Sequence, residues 1–300
     1  MAGLPKHLQE LSKNPVFIEL TECIREGRCV AFIGAGISKP IYPSWEELID
    51  ELCDACGCPK LSETERMNPE RLRKKADECK LTNPRKYKET LWRIFSGKKT
   101  QTRKAYNFLT MLPFASYVTT NFDTLLRDAS GEDIDGVYCY PDLPSHKLSK
   151  RSIFYIHGII EKDGKCRVDS LVLGEESFQK AYSNDSLLPS FLKNLFTYYP
   201  VVFLGFSLRD PSIQSVLQSA NKIRREIAND KNLSLDNLPK RYILLPKAER
   251  TDNRRFEELG VRVIGFEIRS DDFYEIESIL EWWVNTITSK RKAPFRSGFE

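Results

Sequence analysis

No apolar stretch in this 300-residue chain approaches the roughly 20 residues that cross a bilayer. The opening MAGLPKHLQELSKNP lacks the apolar core of a signal peptide, so export is not expected and the cytoplasm is the expected compartment. A strong net charge is missing too: 46 basic and 42 acidic side chains leave a formal +4, which neither requires nor excludes nucleic acid. Basic clusters at Arg71, Arg73, Lys74 and Lys75, at Lys98, Lys99, Arg103 and Lys104, and at Lys290, Arg291 and Lys292 read as solvated helix faces and a loose terminus. Stacking aromatics are not interleaved with them; Tyr87, Trp92 and Phe95 fall at helical spacing and read as core, so direct nucleic-acid binding is not expected. Neither an internal repeat nor a low-complexity segment is present.

Eight cysteines in a chain expected to stay in reducing surroundings do not spell disulfides. Cys53, Cys56 and Cys58 hint at metal, but a tetrahedral zinc site draws four ligands, usually from two knuckles, and the nearest further candidate is the lone Cys79. Buried small apolar side chains near a helix end are the other reading, and no metal is expected.

What the chain does have is alternation. PVFIELTECIRE (15–26) spaces Phe17, Ile18, Leu20 and Ile24 as a helix that Gly27 ends. Residues 28–33 read as a buried strand running into a Gly34–Gly36 turn. SWEELIDELCDAC opens a helix with Ser44 three residues before Glu47, a capping box. Charged helical text then runs to residue 111, broken at Pro69, Pro84 and Gly97, and predicts a small helical lobe inserted over about 50–112. Strands are predicted at 115–120, 151–158 and 199–207, with LVLGEESF as a short strand turning into a helix. NFDTLLRDA reads as a short helix that Asn121 is placed to cap. DPSIQSVLQSANKIRREI is a helix with Asp210 at its cap and Pro211 in its first turn. RYILLP and VRVIGFE are the last strands, a helix around 251–259 lies between them, and one at 272–287 follows. The pattern predicts an α/β fold whose parallel sheet is covered on both faces, one domain over 1–287 with a flexible tail at 288–300.

Chemistry-bearing residues gather at the predicted carboxyl ends of these strands, where parallel α/β sheets bind ligands. Gly34-Ala35-Gly36 lets backbone approach an anion closely, and Ser38 and the free amides beyond it can donate to phosphate. An ordinary dehydrogenase pattern fails, because the third glycine position is Lys39 and the expected acidic strand end falls inside a helix, at Asp50, Glu51 and Asp54. Thr119-Thr120-Asn121-Phe122-Asp123 ends the second strand, His157-Gly158 the third and Gly205-Phe206-Ser207 the fourth. Each alone has a plain structural reading: a cap, one of only three histidines, a relieved turn.

In this order the four stretches resemble the sirtuins, whose signature runs GAG-x-S, T-x-N-x-D, H-G, G-x-S. The resemblance spans about residues 15–285 and implies a Rossmann-like, doubly wound NAD fold. Protein-deacylating sirtuins carry two CxxC pairs for zinc between the HG and GxS motifs; here only Cys166 lies in that interval, so no zinc ribbon is expected. Their Pro-Asp-Phe-Arg-like loop is replaced by Tyr42-Pro43-Ser44-Trp45-Glu46-Glu47-Leu48. That wording looks like the sirtuin-like domains of bacterial anti-phage systems, which hydrolyse NAD+ to halt an infected cell.

The resemblance implies cleavage of the nicotinamide–ribose bond, with NAD+ as substrate. Asn121 would hold a ribose hydroxyl or the attacking water, and His157 would act as general base with an ordinary pKa near 6.5. Gly34, Ala35, Gly36, Ser38, Thr120, Asp123, Gly205 and Ser207 would bind the dinucleotide. Rival readings are an NAD-dependent deacylase or ADP-ribosyltransferase, and a non-catalytic module for NAD or ADP-ribose. An ungated hydrolase would kill its host, and the chain ends soon after its last predicted helix. Control is therefore expected from homo-oligomer assembly or from a partner, which in related two-gene systems is commonly a ring-shaped DNA-translocating ATPase; residues 1–15 and the tail carrying Phe295 and Phe299 are candidates for the contacts.

Overall fold

Val30–Ile33 (VAFI) has no polar position on either face, and all four residues are buried. A strand of this kind sits at the middle of a sheet covered on both sides. The computed structural model of the chain, which describes residues 6–96, 104–161, 170–247, 253–267 and 274–289, places this strand there. Strands β1 (Val30–Ile33), β2 (Ser116–Thr119), β3 (Val137–Cys139), β4 (Ile153–Tyr155), β5 (Val201–Leu204), β6 (Arg241–Pro246) and β7 (Val261–Phe266) form one sheet in the order β3-β4-β2-β1-β5-β6-β7. Every pairing is parallel.

Helices α1 (Lys6–Leu11) and α2 (Pro15–Arg25) precede β1, and α3 (Trp45–Cys56), α4 (Glu63–Arg66), α5 (Pro69–Thr82), α6 (Pro84–Ser96) and α7 (Lys104–Met111) separate β1 from β2. Helix α8 (Leu125–Ala129) follows β2, and α9 (Glu175–Ala181) and α10 (Leu187–Tyr198) precede β5. Helices α11 (Pro211–Asp230), α12 (Asn253–Glu258) and α13 (Tyr274–Ser289) complete the chain. Successive strand residues feed opposite layers, as the two-residue period requires. Ala31, Ile33, Tyr117 and Leu204 pack with Phe17, Leu52, Leu91, Leu109 and Trp283; Val30, Phe32, Val118 and Phe203 pack with Phe191, Leu217 and Phe256. The sheet is thus wound on both faces.

Local signals account for most boundaries. Ser44 Oγ accepts from the Glu47 amide and Glu47 Oε2 accepts from the Ser44 amide at 2.6 Å, so the capping box forms, and Gly57, at φ +76°, ends α3. Pro69 and Pro84 do not break the lobe's text; each is the first residue of a helix, where no amide is needed. Asp210 caps α11 as expected, accepting from the Ser212 and Ile213 amides.

Four expectations are corrected. LVLGEESF holds no strand: Leu171–Leu173 is buried, but its only ladder-like bond is from the Val172 amide to the His157 carbonyl at 2.9 Å. Strand β3, three residues at the sheet edge with Val137 exposed, carries no apolar run to announce it. Arg73 and Lys75 are buried rather than solvated, whereas Trp92 stands half exposed while Tyr87 and Phe95 join the core. Asn121 does not cap a helix, since α8 begins four residues later. Of the expected tail, residues 290–300 lie outside the described residues, as do 1–5 of the N-terminal candidate segment.

Cys53, Cys56, Cys58 and Cys79 are buried together, with Cys53 Sγ 3.7 Å from Cys79 Sγ, and burial pushes the Cys53, Cys56 and Cys79 thiols up. Among the described residues no group of three or more metal-binding side chains is placed to hold an ion, and no helix is long and apolar enough to cross a membrane.

Candidate functional site

Register sets the site. Ile33 of β1 pairs with Thr119 of β2 and Leu204 of β5, and Thr119 pairs with Tyr155 of β4. Four strands therefore end level, and the chain leaves β1 for β2 on one side while β5 flanks the other. A crevice at such a reversal is where open parallel sheets take ligands.

The two glycine turns cross in contact. A Cβ on Gly34 would stand 2.5 Å from the Gly205 carbonyl oxygen, and one on Gly205 would stand 2.5 Å from the Ile37 amide nitrogen. Gly205 also takes a left-handed φ of +61°. These glycines serve the close crossing of two loops. The amides follow the same logic: Gly34 donates to Leu204 O, Gly36 to Gly205 O, Ile37 to Gly34 O and Ser38 to Ala35 O, at 3.0–3.2 Å. The Gly34 and Gly36 amides are thus spent on β5 and its loop and those of Ile37 and Ser38 within the turn, while beyond it, where free amides were expected, Ile41 and Tyr42 donate to Ser38 O. Ala35, which opens the short 3-10 turn Ala35–Ile37, has no acceptor within that turn.

Behind the turn lies a buried polar network. Thr119 Oγ1 donates across the sheet to Ile33 O (2.9 Å) and accepts from the Asn121 amide (3.0 Å), fixing the strand end. Asn121 Nδ2 donates toward Ser38 Oγ (3.0 Å), Gly34 O (3.3 Å) and Tyr106 Oη (3.3 Å). Ser38 Oγ donates to Asp123 Oδ2 at 2.8 Å, so the 2.7 Å contact between Ser38 and Tyr106 is closed by the tyrosine proton. Asp123 Oδ1 accepts from the Leu125 amide, and burial pushes the Asp123 carboxyl up to about 6. Burial holds Tyr106 in its protonated form. Within this network the carbonyl Oδ1 of Asn121 is left without a partner among the described residues, although it is buried. A buried acceptor of this kind is uncommon and calls for a ligand.

His157 lies two residues beyond β4. Its Nε2 is 2.9 Å from Tyr182 Oη, and Phe178 meets the imidazole edge-on while stacking parallel on Tyr182. Arg73, from α5, lays its guanidinium 3.7 Å from the Phe178 ring centre and donates to Asp210 Oδ1 at 2.6 Å and Ser212 Oγ at 3.2 Å. Burial, and then the charge of Arg73, push His157 down to about 3. The imidazole is therefore neutral near pH 7, and the ordinary value assumed from sequence does not hold.

These parts face one cleft of about 340 Å³. Every site residue expected from the sequence lines it except Gly34. Trp45, Leu72 and Phe95 from the helices between β1 and β2 line it together with Phe178, on which Trp45 stacks, and Phe206. Asn121 and His157 share the cleft without bonding each other among the described residues. Tyr106, Tyr182 and Arg73 escaped sequence reasoning. Each sits at an ordinary apolar or charged position of a helix or loop, and only the tertiary fold brings it to the network.

Residues 115–264 match the family model described as a SIR2-like domain. Defense-associated sirtuin 2 of Bacillus subtilis is 27% identical over 213 residues, covering 69% of this chain and 21% of its own length. The NAD(+) hydrolase ThsA of Enterococcus faecium is 26% identical over 223 residues, covering 72% and 45%. ThsA of Bacillus cereus (strain MSX-D12) is 24% identical over 315 residues, covering 96% and 61%. The chain thus spans between 21% and 61% of the length of these relatives. A solved Sir2 homologue in complex with NAD aligns with 91% of this chain and 94% of its own at 12% identity, with a TM-score of 0.43.

Proposed function

The chain belongs to the SIR2-like family, and on that premise we propose that it is an NAD+ glycohydrolase, cleaving the nicotinamide–ribose bond to deplete NAD+ in anti-phage defence. The relatives named NAD(+) hydrolase and defense-associated sirtuin support this reading. The observation that carries it is the Asn121 carboxamide, its nitrogen tied to three acceptors and its carbonyl unspent beside the cleft.

Nicotinamide leaves as a neutral ring from a cationic one, so departure needs no general acid; the protein has to position an acceptor and stabilise positive charge on the sugar. Asn121 Oδ1 accepts from a ribose hydroxyl or from the attacking water. His157, neutral and buried, accepts the proton that water gives up, in the tautomer whose Nε2–H donates to Tyr182 Oη and whose Nδ1 keeps its lone pair. Water serves as the acceptor in this reading, which calls for no peptide groove. Host survival requires gating, by self-assembly or by a partner protein.

Purified protein incubated with NAD+, alone and with candidate partners, should release nicotinamide and ADP-ribose without any acylated peptide. Asn121→Ala and His157→Ala should each lower turnover by at least about 100-fold while circular dichroism shows the fold intact. Release that depends on acyl-peptide would favour a deacylase, and nucleotide binding with no release under any condition would favour a regulatory module. Full turnover in His157→Ala would sink the assignment of the base.

A further inference from the structure

The loop from β5 to α11 is held at nearly every residue. Gly205 packs against the β1 turn, and Phe206 contacts the rings of Phe32 and Phe203. Leu208 is fully buried in a left-handed conformation, φ +53°, and its carbonyl accepts from Gln214 Nε2 at 2.6 Å and from Arg255 Nη2. Asp210 is buried, capping α11 and pairing with Arg73. A branched residue in that backbone region costs on the order of 1–3 kcal/mol and persists only where its surroundings over-determine it. Ser207 and Arg209 are the exposed residues of the loop, and both line the cleft.

Other cations of the cleft lining are already matched: Lys39 pairs with Glu47 at 3.3 Å and Arg66 with Asp50 at 2.7 Å. Among the described residues the Arg209 guanidinium has no carboxylate partner; its contact there is the Met67 sulfur, 4.0 Å away. Meanwhile most of the groups that the sequence pattern assigns to phosphate are engaged. The Gly36 amide donates to Gly205 O, those of Ile37 and Ser38 close their own turn, and the Ser38 hydroxyl belongs to Asp123 and Tyr106. A dinucleotide entering this cleft brings two phosphates that need a donor with charge.

We propose that Arg209 is the anion contact of the cleft, a forked donor to the pyrophosphate of the dinucleotide. A planar guanidinium matches phosphate oxygens two at a time, which a lysine ammonium cannot do. The strained, clamped Leu208 is what turns it inward. This rests on the hydrolase reading, since it takes the same cleft to hold a dinucleotide.

The test is calorimetric titration of the full chain with ADP-ribose, the probe that presents the pyrophosphate without being turned over, and with adenosine as the phosphate-free control. Arg209→Gln should weaken ADP-ribose binding roughly 10- to 100-fold, raise KM for NAD+ in step and leave adenosine binding and the melting temperature where they were. Arg209→Lys should recover part of the loss. Unchanged ADP-ribose affinity in Arg209→Gln, or an equal loss for adenosine, would overturn the proposal and leave the hydrolase reading standing. A wild-type chain that binds neither ADP-ribose nor NAD+ would overturn both.

Discussion

At Asn121 two amide protons meet three acceptors, and one of these, the Tyr106 hydroxyl, comes from the helices between β1 and β2. Tyr106→Phe removes that acceptor and also the proton donated to Ser38, so the carboxamide loses its fixed orientation while the ring still packs. Hydrolysis should fall about tenfold at saturating NAD+, with a loss of about 1–2 kcal/mol in urea unfolding; turnover within twofold of wild type would show that Tyr106 does not orient the amide. The two displaced titrations have opposite signs. Asp123 titrates near 6 in the fold against an ordinary 3.8, so its contribution is full below pH 4 and fades as pH rises to 6. His157 titrates near 3 against an ordinary 6.5, so its contribution is full above 6.5 and is lost as pH falls toward 3. The imidazole's displacement is the larger. Urea midpoints of wild type should therefore drop between pH 6.5 and 4, and drop less in His157→Gln.

Among the elements, the crossing of the two glycine turns is the least tolerant of change. Gly205→Ala meets both a left-handed φ and a backbone nitrogen 2.5 Å away, and should cost about 2–4 kcal/mol in urea unfolding, with loss of NAD+ turnover. Such turns were legible because glycine is the residue backbone contact demands, and strands β1 and β5 were legible because burial on both faces leaves an unbroken apolar run, while β2 (SYVT) showed itself by its β-favouring Tyr-Val-Thr. Strand β3 was not, since three edge residues that are exposed or half-buried carry no such run, and Leu171–Leu173 misled because burial against the core looks in sequence like burial in a sheet. Asn121 illustrates a subtler limit. A residue that favours helix caps sat before a helix, and nothing local revealed that the Thr119 and Ser38 hydroxyls would claim it instead. Likewise the sequence offered His157 but not its displaced titration, which depends on Arg73, 84 positions earlier in the chain, lying beside the Phe178 ring.

For the molecule as a whole, Arg73 ties the helices between β1 and β2 to the β5 side of the sheet through Asp210, across a cleft whose walls they share. Removing one partner of a buried pair strands the other, although Asp210 keeps its bonds to the α11 amides. Arg73→Met should therefore cost about 2–4 kcal/mol. It should also let His157 titrate at a higher pH, readable from its ring-proton shifts by NMR; an unmoved titration would show that burial alone sets it.

β1 comes first in sequence among the seven strands of this sheet and lies at its centre, yet its neighbours are drawn from 116–119 and 201–204. The first glycine turn, the carboxamide with the imidazole, and the second glycine turn thus come from successive thirds of the polypeptide. On the hydrolase reading, residues 1–150 alone lack His157, the second glycine turn and one of the two strands that flank β1, and should release no nicotinamide from NAD+.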